Sequence, residues 1–508
     1  MPEFSHAGYS YLVKEFSLDV CELFHQCFIT DKAVKSIHQK GWITRVYYPR
    51  KRVTIENTWQ SQITFALKYE GVNIEVLRAL FKKLPPGEVA NFIAGHPLGN
   101  IPKRIWYLYE LLTGTRLNLP DGNKGSYVPL IDETLQVALP LESGRRIHRY
   151  HIIDNLVGNT LFSPYVRLTD TIRQKSPVLL KKEMSECLKA FSPDLLYRAV
   201  QYLYVKETKS SFAIERETPD QRRTDAFVAV LRRMSDKAIG EHTIVSVQNA
   251  VVEKRYCQES WRKDQVFVGE TLAPGYEKVH YVAPGPEVVN ELMEGFLDCL
   301  DKWLASSYPD PIVIAAVISF AFVFIHPFDD GNGRVHRYLM HAILAQRQFV
   351  PEGLIFPVSA TILKKQAAYD KALESFSSRL LQHLDYILDE NGELTVRNKA
   401  ADFYRAIDYT PIVEYFYGVV QETIRTEWKV ELEYLKRYDE VRAEMRNIVD
   451  MPEKKANQFV LFVQQNGGRI SDRKRNYFPE LTDGEIRQLE DACEPLCRQE
   501  AAARRSKF

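Results

Sequence analysis

A mainly α-helical protein of more than one domain is what this sequence predicts, and three observations carry the prediction. The chain has 508 residues, too many for one ordinary core and close to three domains at the usual ~100 to 200 residues each. Between about residues 181 and 390, apolar residues return every three to four positions in segment after segment, the spacing that lines one face of a helix. Apolar residues make up 45% of the chain and charged residues 26%, with ordinary glycine and proline, which is a globular composition rather than a fibrous or disordered one.

Charge and punctuation narrow the class. Lysine plus arginine number 67 against 66 aspartate plus glutamate, so no global field steers the molecule onto nucleic acid or anionic lipid, and any basic surface has to be local. The start, Met1-Pro2-Glu3-Phe4-Ser5-His6, lacks the basic patch and apolar core of a secretory signal. The longest apolar run, 311–325, falls short of the ~20 residues that span a bilayer and leads into a polar loop. A cytoplasmic protein without membrane contact is the expectation. Cysteines at 21, 27, 187, 257, 299, 493 and 497 show no repeated metal-ligand spacing and read as reduced packing thiols.

The elements fall into three parts. Residues 1–180 mix helical patterns such as 101–112 with strand-like pieces such as 42–53, and they carry the basic clusters Arg50-Lys51-Arg52 and Arg145-Arg146-Ile147-His148-Arg149. Residues 181–390 are the helical part, with periodic segments at 192–206, 225–235, 287–306, 311–325, 334–348 and 368–388; only 265–269 and 280–282 look extended. Residues 391–508 hold a long charged helical stretch, a helix at 455–465, a turn at Asn466-Gly467-Gly468 and helical pieces at 472–478 and 483–493. Helix, glycine turn and basic helix make a helix-turn-helix rhythm. Because Arg473-Lys474-Arg475 is short, the charged face of a packing domain is the plainer reading and DNA contact the alternative.

The chemistry is concentrated after the apolar run. It leads to His326, and Pro327 tends to end the helix there by restricting the residue before it. Phe328-Asp329-Asp330-Gly331-Asn332-Gly333 follows, and Arg334 opens a new amphipathic helix whose first turn also carries Arg337. Two glycines let successive backbone N–H groups turn inward as an anion nest, and the helix N-terminus adds partial positive charge. Arg334 and Arg337, three apart, share a face from which forked donors can grip phosphates, while the Asp330 carboxylate can hold Mg²⁺ against the same oxygens. The sequence has no G-x-x-x-x-G-K-[ST] loop and no protein-kinase motif set.

The run His326-Pro327-Phe328-Asp329-Asp330-Gly331-Asn332-Gly333-Arg334-Val335-His336-Arg337 resembles the complete Fic signature, H-x-F-x-[D/E]-G-N-G-R-x-x-R, at every defined position. The resemblance implies a mainly α fold: a helical Fic core with a small β-hairpin flap, flanked by winged-helix-like α/β terminal modules at 1–180 and 391–508. It also implies transfer of AMP from ATP to a hydroxyl side chain of a target protein. His326 resembles the base that deprotonates that hydroxyl, Phe328 a core anchor, and Asp330 the magnesium ligand. Gly331, Asn332 and Gly333 resemble the anion nest, and Arg334 and Arg337 the residues that hold the distal phosphates. Asp329 and His336 stand at variable positions and receive no role. Arg334, where phosphate-transferring relatives carry lysine, favours AMP transfer.

Two flanking segments extend the resemblance. Residues 262–283 resemble the flap, with Gln265, Val266, Phe267 and Val268 on its first extended piece, and a flap holds a target segment by strand addition through main-chain hydrogen bonds. Residues 210–217 resemble the inhibitory helix [S/T]-x-x-x-E-[G/N] of members with an N-terminal brake. Ser211 and Glu215 lie one turn apart, and the resemblance implies that Glu215 pairs with Arg337 in place of the γ-phosphate; Glu217, continuing the same helix, faces away. Arg216 replaces the small residue that closes the motif. The expectation is therefore an adenylyltransferase that uses ATP and Mg²⁺, is autoinhibited by Glu215, and modifies Ser, Thr or Tyr hydroxyls of a protein and of itself. Dimers, common in the family, are a further implication. Two alternatives share these residues: removal of AMP, with Glu215 orienting a water, and a Fic-containing DNA-binding regulator whose terminal modules contact the duplex.

Overall fold

The computed structural model describes residues 4–122, 125–235, 238–273 and 276–505, in which helices predominate and the sheets are small. Two compact units divide the chain. The first comprises Met1–Pro177, Pro219–Glu352 and Gln366–Gly418, and the second Val178–Thr218, Gly353–Lys365 and Val419–Phe508.

The first unit begins with strands, as the β-branched and aromatic residues near the N-terminus require. Phe4–Ala7, His25–Thr30, Ile43–Pro49 and Ser36–Lys40 lie side by side in that order. The central pair is parallel, with Cys27 opposite Val46, and the outer pairs are antiparallel. Ala7, Cys27, Ile29, Val46 and Tyr48 pack with Phe65 of helix Trp59–Tyr69. Helices Ile74–Phe81, Pro86–Gly95 and Asn100–Thr113 form a larger apolar core beside a short sheet of Val128–Pro129, Ile152–Asp154 and Arg145–Ile147. The basic clusters are partly consumed here. Arg149 pairs with Glu110 at 2.9 Å and donates to the Leu117 carbonyl at 3.0 Å, so it braces the fold.

Later in the same unit, Pro311–Ile325 is buried at nearly every position. A helix apolar all round has to lie inside the protein, which explains the uninterrupted run. Its start is capped by Asp310, which accepts the N–H groups of Ile312 (3.0 Å) and Val313 (3.2 Å), with Pro311 in the first turn. Helix Asn332–Gln346 packs along it. The two are clamped where His336 Nδ1 donates to the Ser319 carbonyl at 2.6 Å.

In the second unit, helix Pro193–Ile214 is capped by Ser192, whose hydroxyl accepts the Leu195 N–H at 3.3 Å. Lys206 sits between Glu431 and Glu427, the latter 3.0 Å away. Burial alone would lower its pKa, but the two carboxylates outweigh that and hold it above the usual lysine value. Helices Lys429–Ile448, Glu453–Gln465 and Asp483–Arg505 enclose a core that includes Met445, Phe459, Val463 and Leu489. The expected glycine turn is present, with both Gly467 and Gly468 at positive φ. The basic helix after it is a single turn, Asp472–Arg475, and Arg475 donates to the Leu481 carbonyl at 2.6 Å and pairs with Asp483 at 3.2 Å. That side chain stabilises the turn.

Candidate active site

His326 ends the apolar helix in a left-handed conformation, φ 52° and ψ 57°. A non-glycine residue there is strained by roughly 1–2 kcal/mol, so its surroundings have to hold it. Its N–H donates to the Phe322 carbonyl at 2.9 Å, and its ring Nδ1 lies 3.1 Å from the Val323 carbonyl. A carbonyl oxygen only accepts, so Nδ1 carries a proton and, in the neutral ring, Nε2 carries the lone pair. This is the tautomer a general base needs.

The loop that follows folds on its own side chains. Phe328 is fully buried against Trp261 and Phe322, and its backbone is bonded in both directions by Asn332: N–H to Oδ1 at 3.0 Å and carbonyl from Nδ2 at 2.7 Å. The Asn332 side chain therefore shapes the loop. Gly331 needs glycine twice over, because its φ is +90° and an added Cβ would lie 2.9 Å from Val252 Cγ1. The helix's own ladder starts when Val335 N–H reaches the Gly331 carbonyl at 3.0 Å, so the amides of Asn332, Gly333 and Arg334 precede it at the positive end of the dipole.

Arg334 and Arg337 are both buried on the first turn of this helix. Arg334 donates to the Val251 carbonyl at 3.0 Å and pairs with Asp330 Oδ1 at 2.6 Å. The Gly331 N–H uses the same oxygen, at 2.6 Å. Oδ2 of this partly exposed carboxylate is thus the oxygen left for a cation, and one carboxylate beside phosphate oxygens is a donor set that magnesium accepts. The residues fit the ion. Burial, with the Arg337 charge alongside, pushes His336 down to about 3, so this ring is neutral and structural.

One residue with no signal in the sequence organises the whole end of the helix. Arg262, buried at 3% exposure, donates its backbone N–H to the Pro327 carbonyl (2.8 Å) and Nε to the His326 carbonyl (2.7 Å). Its two remaining nitrogens reach the Asp264 and Pro284 carbonyls, each at 2.6 Å, at the two roots of the flap. Tyr281 adds a bond from its hydroxyl to the Phe324 carbonyl. The flap is the hairpin Phe267–Ala273 with Tyr276–Val282. Of its expected docking residues, Gln265 turns inward and donates to the Ala283 carbonyl at 2.8 Å, while Val268 is exposed on the strand. Gln248, fully buried, supports the loop from below by donating to the Asp330 carbonyl at 3.2 Å.

Residues 238–344 match the Fic/DOC family. The chain carries a Fic domain. Over 186 residues it is 30% identical to a protein of Nematostella vectensis named protein adenylyltransferase Fic, covering 30% of this chain and 40% of that one. Over 188 residues it is 26% identical to the Aedes aegypti protein of the same name, covering 31% and 35%. The match thus spans less than half the length of these relatives. A solved Fic family protein from Desulfovibrio desulfuricans G20 aligns at a TM-score of 0.38 and 22% identity, over 62% of this chain and 90% of that one.

The Fic domain's signature loop gathers His326, Asp330, Gly331, Asn332, Gly333, Arg334 and Arg337 within twelve residues of the first unit, while Ser211 and Glu215 belong to the second. There the structure departs from the expected helix at 210–217, which stops at Ile214. Glu215 is the cap residue, Arg216 takes φ +59°, and the chain turns with Arg216 N–H to the Ala213 carbonyl (3.0 Å) and Glu217 N–H to the Phe212 carbonyl (3.1 Å). These two bonds are a Schellman ending. Glu217 is therefore not on the helix, and its expected position facing away from Glu215 falls with that. Ser211 is buried, Glu215 exposed and Glu217 half-buried. Among the described residues no helix is long and apolar enough to cross a membrane.

Proposed function

We propose that this chain is a protein adenylyltransferase, with ATP as the donor and a protein hydroxyl as the acceptor. The observation that carries the reading is His326, whose Nδ1 is committed to the Val323 carbonyl and whose Nε2 is therefore a base, one short loop before a helix N-terminus with two buried arginines. The names of the relatives agree with it. The target hydroxyl oxygen attacks the α-phosphorus, its proton passes to His326 Nε2, and the bond from the α-phosphorus to the pyrophosphate oxygen breaks. Positioning by the amides of the loop and by Arg334 and Arg337, with one proton transfer, is the catalytic contribution of this chain. Asp330 would hold magnesium, whose charge offsets that of the phosphates when it is bound.

The same reading includes a brake. A Glu215 carboxylate paired with Arg337 would occupy the place of the γ-phosphate and leave ATP unproductive, and the Ser211-to-Glu215 motif supports it. Its test uses α-labelled ATP and Mg²⁺ with cell lysate, comparing wild type, Glu215→Gly, Glu217→Gly and His326→Ala. Glu215→Gly should label protein more strongly than wild type, and His326→Ala not at all. Activation by Glu217→Gly alone would move the brake to Glu217, whose half-buried carboxylate lies just past the turn. Labelled protein with His326→Ala would remove the base from the mechanism. Free AMP released from labelled protein, in place of new label, would favour the removal reaction.

A further inference from the structure

Away from the Fic domain, three metal-ligating side chains meet inside the N-terminal sheet layer. His25 and Cys27 alternate along strand His25–Thr30 and so point to the same side, with His25 Nε2 and Cys27 Sγ 3.4 Å apart. Glu70, the cap residue of helix Trp59–Tyr69, brings its carboxylate to the same point, and the three donor atoms lie within 4.8 Å of one another. Zinc bonded at about 2.3 Å to sulfur and about 2.1 Å to nitrogen, with a tetrahedral angle, holds those ligands about 3.6 Å apart. The observed 3.4 Å, a thiol–imidazole contact, is close to what two ligands of one ion require.

The carboxylate supplies an independent observation. Glu70 is 2% exposed; its Oε1 accepts the Tyr9 N–H at 2.9 Å, whereas its Oε2 is buried with no nitrogen or oxygen donor, and the Cys27 thiol is the side chain that bonds this carboxyl. A buried carboxylate met only by a weak thiol donor is costly to keep ionised, and a cation beside it removes that cost. A cavity of about 20 Å³, lined by His25 and Glu70 with Tyr9, Tyr165, Arg167 and Asp408, has room for one water-sized occupant. Arg167 donates to the Glu70 backbone carbonyl and to the Tyr165 hydroxyl at 3.4 Å. A second cation is therefore tolerated only where thiolate and carboxylate are both anionic, which selects a thiophilic dication over magnesium or calcium.

We propose that His25, Cys27 and Glu70 form a structural zinc site, completed by a water in the adjoining cavity, that fastens the central strand of the sheet to the end of the following helix. The full-length chain, purified without chelators, should contain about one zinc per molecule. After stripping, Co²⁺ should give a thiolate-to-metal charge-transfer band that saturates near one equivalent, and zinc should raise the melting temperature. Cys27→Ser should lose that band, and Glu70→Gln should bind Co²⁺ at least about 10 to 100-fold more weakly, while Cys257→Ser, which removes an exposed thiol, should leave the band unchanged. Metal-free wild type with no charge-transfer band and no shift with zinc overturns the site. So does a band that disappears with Cys257→Ser and survives in Cys27→Ser or, should that variant not fold, in Glu70→Gln at unchanged affinity.

Discussion

Replacing Arg262 tests whether the strained histidine is held from outside its own loop. Three side-chain bonds, to the carbonyls of His326 at 2.7 Å and of Asp264 and Pro284 at 2.6 Å each, leave with the guanidinium. Bonds to a charged group are each worth about 1.5–3 kcal/mol, so roughly 5–9 kcal/mol is an upper bound. Burial works against this sum: it pushes the Arg262 pKa below the usual arginine value, with Tyr281 and Asp329 offsetting only part. The net loss for Arg262→Met should be about 3–5 kcal/mol, the range for breaking a buried charged network. His326 would then be free to leave φ 52°, and a misplacement of about 1 Å at a reacting group lowers the rate on the order of 100-fold. The assay is thermal unfolding together with the kinetics of AMP incorporation. kcat should fall while KM for ATP changes little, since the phosphate loop keeps its own bonds, and Arg262→Gly should regain activity with added guanidinium. A wild-type melting temperature and kcat for Arg262→Met would refute the reasoning.

Other outcomes follow from the same geometry. Asn332→Ala removes both bonds to the Phe328 backbone and should destabilise the fold by about 2–4 kcal/mol while shrinking the rise in melting temperature with ATP and Mg²⁺. Gly331→Ala has to place a Cβ 2.9 Å from Val252 Cγ1 at φ +90°; about 2 kcal/mol or more should be lost, with nucleotide binding falling in an equilibrium titration. Burial pushes His336 down from 6.5 to about 3 in the fold, so protons favour the unfolded chain: its contribution, on the order of 5 kcal/mol, is complete above pH 6.5 and is lost as pH falls toward 3. His336→Gln, which keeps a donor for the Ser319 carbonyl, should flatten denaturation midpoints over that window. Arg216→Gly should raise stability by about 0.5–1 kcal/mol, read as a higher denaturation midpoint.

Much of the region around the signature loop was legible because its signals are local. The run at 311–325 and the periodic stretch at 334–348 appear as helices Pro311–Ile325 and, shifted by two residues, Asn332–Gln346, and the extended pieces near 265 and 280 as one hairpin. The twelve-residue motif needs no long-range contact to be recognised. Arg262 was not legible, since Trp261-Arg262-Lys263-Asp264 reads as a polar surface loop and only tertiary closure buries its second residue. Gln248 was hidden likewise in an ordinary amphipathic helix. In the N-terminal layer, His25 and Cys27 gave no metal spacing because their partner is 43 positions beyond Cys27, and sequence arithmetic sees only near neighbours. Within the basic clusters, Arg149 and Arg475 have internal partners that only tertiary closure reveals.

Among the helix ends that set a non-glycine residue at positive φ are those at His326, 52°, and Arg216, 59°, and these two are strained for different reasons. At His326 the left-handed turn aims the side chain: with the backbone turned there, Nδ1 reaches the Val323 carbonyl of the last helical turn, which sets the tautomer that the proposed base needs. The strain is offset by bonds from Arg262 that a glycine would receive equally well, so the histidine is kept for its ring. At Arg216 the turn only ends the helix through its two Schellman bonds, and any residue that tolerates this conformation would serve. Glycine and asparagine tolerate it best, which gives a physical reason for [G/N] at the close of the inhibitory motif without any contact by that side chain. Arginine there keeps the turn at the expense of backbone strain. Its effect on Glu215 thus acts through the stability of the helix end that presents the carboxylate, not through the guanidinium.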